Sequence, residues 1–274
     1  MIPTKHPEGS SKVVLITGAA HGIGLSLAKL YDKIGAQVLI VDVNQSHLQG
    51  AQQKLPHQHC FTCDVSDIAQ VHVLREKILA QFGAPDILIN NAGIVEKSNF
   101  LDCEDAVLER TLRVNVLSHF WMLKAFLPAM IKRQTGHICE IASAAGLLGV
   151  PGMVAYCTSK HAVMGLADSL RMELEEMPDV HIPVTVVCPS FVNTGMFAGV
   201  RPPRFTPLLD QEQIAKLVFQ AIDRKQERLL APFMVRLLPL MKLLPSRLFR
   251  VVAKFFHVHH AMKDILSPGE RRKP

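Results

Sequence analysis

"KVVLITGAAHGIG", residues 12–24, decides how the rest of the chain is read. Lys12–Thr17 is an apolar, partly β-branched run that stops at a glycine, the pattern of a strand buried on both faces. Gly18, Gly22 and Gly24 follow, with His21 and Ile23 between them, and helical spacing of apolar residues takes over across 22–34. A strand that turns through glycines into a helix gathers main-chain N–H groups and the positive end of the helix dipole at one point, where a pyrophosphate fits. The spacing is G-x-x-x-G-x-G, not the G-x-G-x-x-G of many dinucleotide folds, and by itself it is equally a tight turn.

The same alternation continues outward. QVLIVD (37–42), HCFTCD (59–64), DILIN (86–90), HICEIA (137–142) and PVTVVC (183–188) read as further strands, and RLLAP (228–232) as a seventh. Amphipathic stretches at 45–54, 67–82, 104–133, 155–177 and 210–225 separate them. Strand alternating with helix at this spacing builds right-handed βαβ units. The expected fold class is therefore α/β: a doubly wound, Rossmann-like parallel sheet of about seven strands with helices on both faces. Asp67 is placed to cap one helix, and Gly83 and Pro85 to end it. No repeat or low-complexity linker divides the chain. Residues 1–11 are expected to be a flexible N-terminus, 12–232 a single dinucleotide-binding domain and 233–274 a basic amphipathic tail.

Composition narrows the classes further. Hydrophobic residues make up 49% of the 274 and charged residues 20%, a globular balance that argues against disorder. Net charge is +6 and the isoelectric point about 9.1, but no aromatic residues interleave with the basic ones in a groove-like pattern, so no nucleic-acid partner is expected. The first twelve residues are polar, with two prolines, and lack the apolar core of a signal peptide or anchor. Six cysteines without a dense framework suit a reducing, cytoplasmic setting. Cys60 and Cys63 form a C-x-x-C inside a strand-like run, where two small strand residues are expected instead of a zinc or redox site. HVHH (257–260) has no cysteine nearby, and no metal site is expected there.

Two acid–base features point to chemistry. The second strand ends on Asp42, 24 residues after Gly18, where a carboxylate can hydrogen-bond adenosine ribose hydroxyls and repel a 2′-phosphate, favouring NAD over NADP. The alternative is a cap for the helix from 45. In a chain with only two tyrosines, Tyr156 stands four residues before Lys160, which puts both on one helix face. An ammonium roughly 4 Å away at an effective dielectric of about 20 would favour phenolate by about 4 kcal/mol. That equals roughly three pH units on a phenol that ordinarily titrates near ~10. A positive nicotinamide would push the same way, giving a group that can take or give a proton near pH 7.

Thr17-Gly18-x3-Gly22-x-Gly24, Asp64-Val65, Asn90-Asn91-Ala92-Gly93, Asn115, Ser143 and Tyr156-x3-Lys160 stand in an order and spacing that closely resembles the short-chain dehydrogenase/reductase family. The resemblance spans roughly 12–195 and implies an enzyme acting on CH–OH donors with NAD. It implies Tyr156 as acid/base, Lys160 as its cationic neighbour, Ser143 as a donor to the substrate oxygen and Asn115 as holder of a water in a proton relay. Thr17, Gly18, His21, Gly22, Ile23, Gly24, Asn91, Ala92 and Gly93, together with Tyr156 and Lys160, would contact the cofactor. Asp64 and Val65 would bracket the adenine, while Pro189, Val192 and Thr194 would hold the carboxamide. Ser190 departs from the glycine usual after that proline, which narrows the pocket. Glu140, an acid within HICEIA, is read as making a supporting hydrogen bond.

Stretches such as VPGMVAYCTSK and CPSFVNTGM are similar to the branch of the family that holds 17β-hydroxysteroid dehydrogenases types 11 and 13 and the epidermal retinol dehydrogenases. That implies a lipophilic alcohol or ketone as substrate, a steroid, retinol or similar. Met196, Phe197, Phe205, Leu208 and Leu209 would form an apolar lid, or else bury one another. The branch associates with endoplasmic reticulum or lipid droplets through an N-terminal apolar segment that residues 1–11 do not match, so membership does not fix the location; the expected place is the cytoplasm, peripheral at a membrane or lipid droplet. From Arg228 to Lys263 there are seven basic residues and no acid. A helix from Ser246 would set Arg247, Arg250, Lys254 and His257 opposite Leu248, Val251, Val252, Phe255 and Phe256. Such a helix suits an anionic membrane surface, or equally packs on the domain. The helices at 104–133 and 155–177 are long, and the resemblance implies a homo-oligomer paired through them across a two-fold axis. The competing readings are an NADP-dependent carbonyl reductase and an NAD-binding, membrane-associated scaffold without turnover.

Overall fold

The computed structural model describes residues 11–196 and 207–245, with 247, 248 and 251. Seven parallel strands form one sheet: β1 (Val13–Thr17), β2 (Gln37–Asp42), β3 (His59–Thr62), β4 (Ile87–Asn90), β5 (His137–Ile141), β6 (Val184–Pro189) and, after a two-residue ribbon of β7 (Val192–Asn193) with β8 (Leu209–Asp210), β9 (Arg228–Ala231). The order across the sheet is β3-β2-β1-β4-β5-β6-β9. From β1 the chain builds outward one way through β2 and β3, then returns to the other side of β1 as β4. The loops after β1 and β4 therefore diverge, opening a crevice at the carboxyl ends of the strands.

Helices α1 (Gly22–Lys33), α2 (Gln45–Lys54), α3 (Ile68–Phe82), α4 (Asp105–Leu112), α5 (Ser118–Arg133), α6 (Val154–Glu175) and α7 (Gln211–Asp223) cover the two faces. Val13 and Leu15 of β1 pack with Ile78, Phe126 and Val163 of α3, α5 and α6. Val14 and Ile16 pack on the other side with Leu27, Tyr31 and Val218 of α1 and α7. Burial on both faces is why the strands read as unbroken apolar runs. Local chemistry sets the helix starts: Asn44, Asp67 and Asp210 each accept a backbone N–H of the following turn, and Gly83 ends α3 at φ 73°.

The stretch expected as one helix over 104–133 is interrupted. Residues Arg113–Leu117 form a π turn between α4 and α5, and Asn115 lies at its centre, wholly buried. The extra residue in that turn aims Asn115 at the backbone of Ile94, which it binds on both sides: Oδ1 accepts from Ile94 N at 2.8 Å and Nδ2 donates to Ile94 O at 2.9 Å. Apolar periodicity sees only the continuous stripe, so the wide turn does not show in it. Asp105–Arg133 is long and apolar enough to cross a membrane, but half of its apolar window lies inside the fold, where Met122 and Phe126 fill the core.

Past β9, Phe233–Leu237 and Leu238–Met241 form two short helical turns, and Leu240, Leu243, Leu248 and Val251 are exposed. Most of the tail helix expected from Ser246, the HVHH run, the N-terminus through residue 10, and Phe197 and Phe205 of the expected lid lie outside the described residues.

Candidate active site

At the crevice the first wall is main chain. Gly18 and Gly22 take φ of +61° and +58°, a region glycine enters without strain. A Cβ on Gly24 would stand 2.5 Å from Gly18 O and 2.7 Å from Asn91 Nδ2, so only glycine lets α1 approach its own loop this closely. Thr17 fastens the loop to β4: its hydroxyl oxygen accepts the N–H groups of Asn91 and Ala92, each at 3.0 Å. Asn91 reciprocates, donating Nδ2 to the carbonyls of Thr17 and Gly18.

One step out along the sheet, at the end of β2, Asp42 is buried and accepts from Ala20 N at 3.2 Å and Asn44 N at 3.0 Å, with His21 Nδ1 at 3.6 Å. Burial works against its charge, but His21 and the two backbone amides outweigh it and hold the carboxyl below its ordinary range. The hydrogen bond to Asp42 raises His21 in return. Capping of α2, the alternative role for Asp42, falls to Asn44, whose side chain accepts from His47 N. Farther out, the Asp64 carboxylate is engaged by Ser66 N and Oγ, and Val65 is buried beside it. Asp42 ends β2 and Asp64 and Val65 follow β3, so all three lie at the outer end and do not line the deep part of the cleft.

The deep part is lined by Gly18, His21, Gly22 and Ile23 on one side and by Ser143, Tyr156, Lys160 and Pro189 on the other, with Asn91, Ala92 and Gly93 between. Val192 and Thr194 close it at β7, and a Cβ on Gly22 would sit 3.4 Å from the Thr194 side chain. Ser143 follows β5; its Oγ accepts Ala145 N at 3.1 Å and its hydroxyl hydrogen-bonds the Tyr156 phenol. Lys160 Nζ donates to Ile141 O at 2.8 Å and stands 5.9 Å from the centre of the Tyr156 ring. Gly93 separates Lys160 from Asn115: a Cβ there would be 3.5 Å from Lys160 Nζ and 3.4 Å from Asn115 Oδ1. Asn115 Nδ2 also donates to Ser159 Oγ at 3.0 Å, tying the π turn to α6.

Electrostatics depart from the expected acid phenol. Burial pushes Tyr156 up to about 12, against the pull of the Ser143 hydroxyl. Burial also brings the Lys160 ammonium down to about 8, against the opposing charge of Glu140. The expectation weighed the cation against an exposed phenol and left out the phenol's own desolvation, which in a closed site is the larger effect. The thiol of Cys63 is likewise pushed up to about 12 by burial, the reverse of a reactive C-x-x-C cysteine.

The sequence profile of the short chain dehydrogenase family matches residues 12–204. This chain belongs to that family. Epidermal retinol dehydrogenase 2 of Mus musculus is 37% identical over 99% of this chain and 89% of its own length. Estradiol 17-beta-dehydrogenase 11 of Homo sapiens is 35% identical over 92% of this chain and 86% of its own. Among solved structures, a short chain dehydrogenase/reductase from Burkholderia phymatum in complex with NAD superposes with a TM-score of 0.77 at 27% identity, covering 86% of this chain and 95% of that one. The protein is an oxidoreductase of this family, related to retinol and steroid dehydrogenases.

As a short-chain dehydrogenase it carries features that residue patterns did not disclose. Ile141 serves through its carbonyl, so no side-chain signal marks it. Val95, Ala145, Met153 and Cys157, with Val150, Phe191 and Met196 packed on them, form an apolar cluster around Tyr156. They come from four separate segments, and each looks ordinary in its own. Leu209, expected in a lid, instead pairs with Val192 in the β7–β8 ribbon and packs against the α1–α7 core, while Leu208 is exposed.

Proposed function

We propose that this dehydrogenase uses NAD to interconvert a lipophilic alcohol, a steroid, retinol or similar carbinol, with its ketone or aldehyde, and that Tyr156 is the acid/base. The observation that carries this reading is the position of the Tyr156 phenol, hydrogen-bonded to Ser143, near Lys160, and set in an apolar cluster at the floor of the cleft. The names of the mouse and human relatives support the substrate class.

The residues present fit a nicotinamide dinucleotide. Gly18, Gly22 and Gly24 leave main-chain N–H groups at the start of α1 uncovered by side chains, and Asp42 offers a carboxylate one strand away. Bound NAD supplies the hydride acceptor. Tyr156 Oη takes the proton from the substrate hydroxyl, and Ser143 donates to the same oxygen as charge develops on it. Lys160 and a nicotinamide cation together offset the burial that keeps the phenol protonated. Asn115, fixed by Ile94 and Ser159, holds the relay from Lys160 toward solvent. The buried Asp42 carboxylate supports NAD over NADP.

Two further parts of the reading concern surfaces. An apolar groove between α5 and α6, lined by Phe120, Leu127, Ile131, Leu166 and Leu170, supports pairing of two copies. Phe233, Leu240 and Leu243 are exposed past the carboxyl end of β9, the edge on which the cleft opens, among Arg236 and Lys242. This supports peripheral contact with an anionic membrane or lipid droplet, from which a lipophilic substrate can enter.

The test is an NAD-linked screen over steroids, retinoids and medium-chain alcohols with Tyr156→Phe as control. NADH formation on at least one lipophilic carbinol, lost in the variant, is expected. Intact NAD binding with no NADH formed across all three classes rejects the proposal.

A further inference from the structure

Glu140, in β5, is entirely buried. Strand alternation puts it on the face of Ile138 and Ala142, which is covered by α5 and α6. Its oxygens are held by different elements. Oε1 accepts from Asn90 Nδ2 at 2.8 Å, across the β4–β5 pairing in which the two residues are partners. Oε2 meets Nδ1 of His119, which α5 delivers from a site only 1% exposed. The next residue in β5, Ile141, receives the Lys160 ammonium on its carbonyl. Among the described residues the buried acids are Asp42 and Glu140, and Asp42 lies at the outer end of the cleft.

A buried ammonium is costly unless an opposite charge is near. His119 Nε2 has no hydrogen-bond partner among the described residues. A doubly protonated His119 would leave a charged N–H bare in the core and offset the charge that Glu140 offers Lys160. Neutral His119, donating Nδ1–H to Glu140, leaves only a bare imine nitrogen, which costs less. The cluster is then one carboxylate facing one ammonium.

We propose that Glu140, held by His119 and Asn90, is the buried counter-charge of Lys160 and so a positioning residue for the Tyr156–Lys160 pair. The inference rests on the dehydrogenase reading for its catalytic consequence only. The titratable groups around Lys160 are Tyr156 on its own helix, Glu140 on β5, His119 on α5 and Cys188 on β6, with Ser143, Ser159 and Asn115 as neutral neighbours. Burial pushes the Cys188 thiol up to about 12, so it is uncharged and Glu140 supplies the full negative charge. Glu140 is also the largest influence opposing the downward push of burial on Lys160.

Glu140→Gln removes the charge and keeps a partner on each side: the carboxamide oxygen accepts from Asn90, and its N–H donates to His119 Nδ1 once the imidazole carries its proton on Nε2. The lysine side-chain NMR resonances of the whole protein report the titration of Lys160 without any substrate. In the variant that titration is expected to fall by about one pH unit, roughly tenfold in acid dissociation constant. The alkaline limb of kcat is expected to move the same way, with KM for NAD changed by less than about twofold. A natively folded variant whose Lys160 titrates as in the wild type overturns the proposal. Should the variant not fold, the wild-type Glu140 carboxyl 13C resonance decides: a displacement that tracks the Lys160 titration is expected, and a resonance indifferent to it overturns the proposal. A wild type that turns over no alcohol counts against the dehydrogenase reading alone.

Discussion

Around Gly18–Gly24 the cleft wall is main chain, shaped by places where a Cβ has no room; around Tyr156 it is side chain, shaped by buried groups that hydrogen-bond across elements. At the first end a residue matters for what it lacks. At the second it matters for its functional group and for the distant backbone that holds it: Ile94 for Asn115 and Ile141 for Lys160. The two ends should therefore fail in different ways when altered, binding at one and chemistry at the other.

The largest expected effect is at the chemical end. Tyr156→Phe keeps the ring that packs on Met153 and Ala145 and deletes the hydroxyl. A loss of kcat by about 10²–10⁴-fold is expected, the usual worth of a positioned general acid/base, with the dissociation constant for NAD nearly unchanged. Stopped-flow turnover together with calorimetric NAD titration separates the two quantities. A parallel weakening of NAD binding would break the division between the ends.

A second test uses the opposite end of the strand that leads to Ser143. His137 begins β5, buried, with Nε2 2.8 Å from Thr185 Oγ1. Thr185 spends its own hydrogen on Gln226 O at 2.7 Å, so its oxygen accepts and His137 carries its proton on Nε2. Burial, with Lys225 and Lys12 adding to it, lowers this histidine to about 4. Because the folded value lies below the unfolded one near ~6.5, the unfolded chain binds the extra proton first. Stability is full above about pH 6.5 and declines as pH falls toward 4, by up to about 3 kcal/mol. Thermal melts of wild type and His137→Gln between pH 7 and 4 should show a shallower slope in the variant. NAD affinity at pH 7 should be the same in both.

The contrast also explains what the sequence disclosed. Parallel strands covered on both faces leave continuous apolar runs, so all seven strands of the sheet and their helices could be placed within a residue or two. Gly18, Gly22 and Gly24 stand out because glycine spacing is a sequence feature, and Tyr156 with Lys160 because tyrosine is scarce here. The π turn at Arg113–Leu117 left no trace, since one extra residue per turn does not change which residues are apolar. Glu140 was visible as an oddity, but its partners Asn90 and His119 lie 50 and 21 residues away, and only the fold brings them together. The upward push of burial on the phenol was missed because desolvation depends on what covers a group, which no local pattern records.

At the backbone end, Gly24→Ala adds one methyl where 2.5 Å remains to Gly18 O. Neither that carbonyl nor Asn91, which holds it, can give way without loosening the loop. A loss of about 1–3 kcal/mol is expected, shared between stability and NAD affinity, while kcat at saturating NAD is retained. Loss of kcat under those conditions would mean that loop geometry reaches the chemistry, and the two ends would no longer be separable.

The smallest effect belongs to Asp42, where the backbone end does use a charge. Asp42→Asn keeps an acceptor for Ala20 N or Asn44 N but removes the repulsion a 2′-phosphate would meet. For charges about 5–6 Å apart, with Asp42 buried but a 2′-phosphate facing solvent, that is worth about 1 kcal/mol, so the ratio of kcat/KM for NAD over NADP should drop by roughly fivefold. His21 gives the wild type a further signature. Its hydrogen bond to Asp42 raises its titration above the ordinary histidine value, so it gains a positive charge as pH falls and offsets the carboxylate. Preference for NAD should then narrow from pH 8 to pH 6 in the wild type and stay flat in His21→Gln. A flat wild-type ratio alongside a shifted Asp42→Asn ratio would leave Asp42 as the discriminator and remove His21. An unshifted Asp42→Asn ratio at pH 8 would place the adenosine ribose elsewhere.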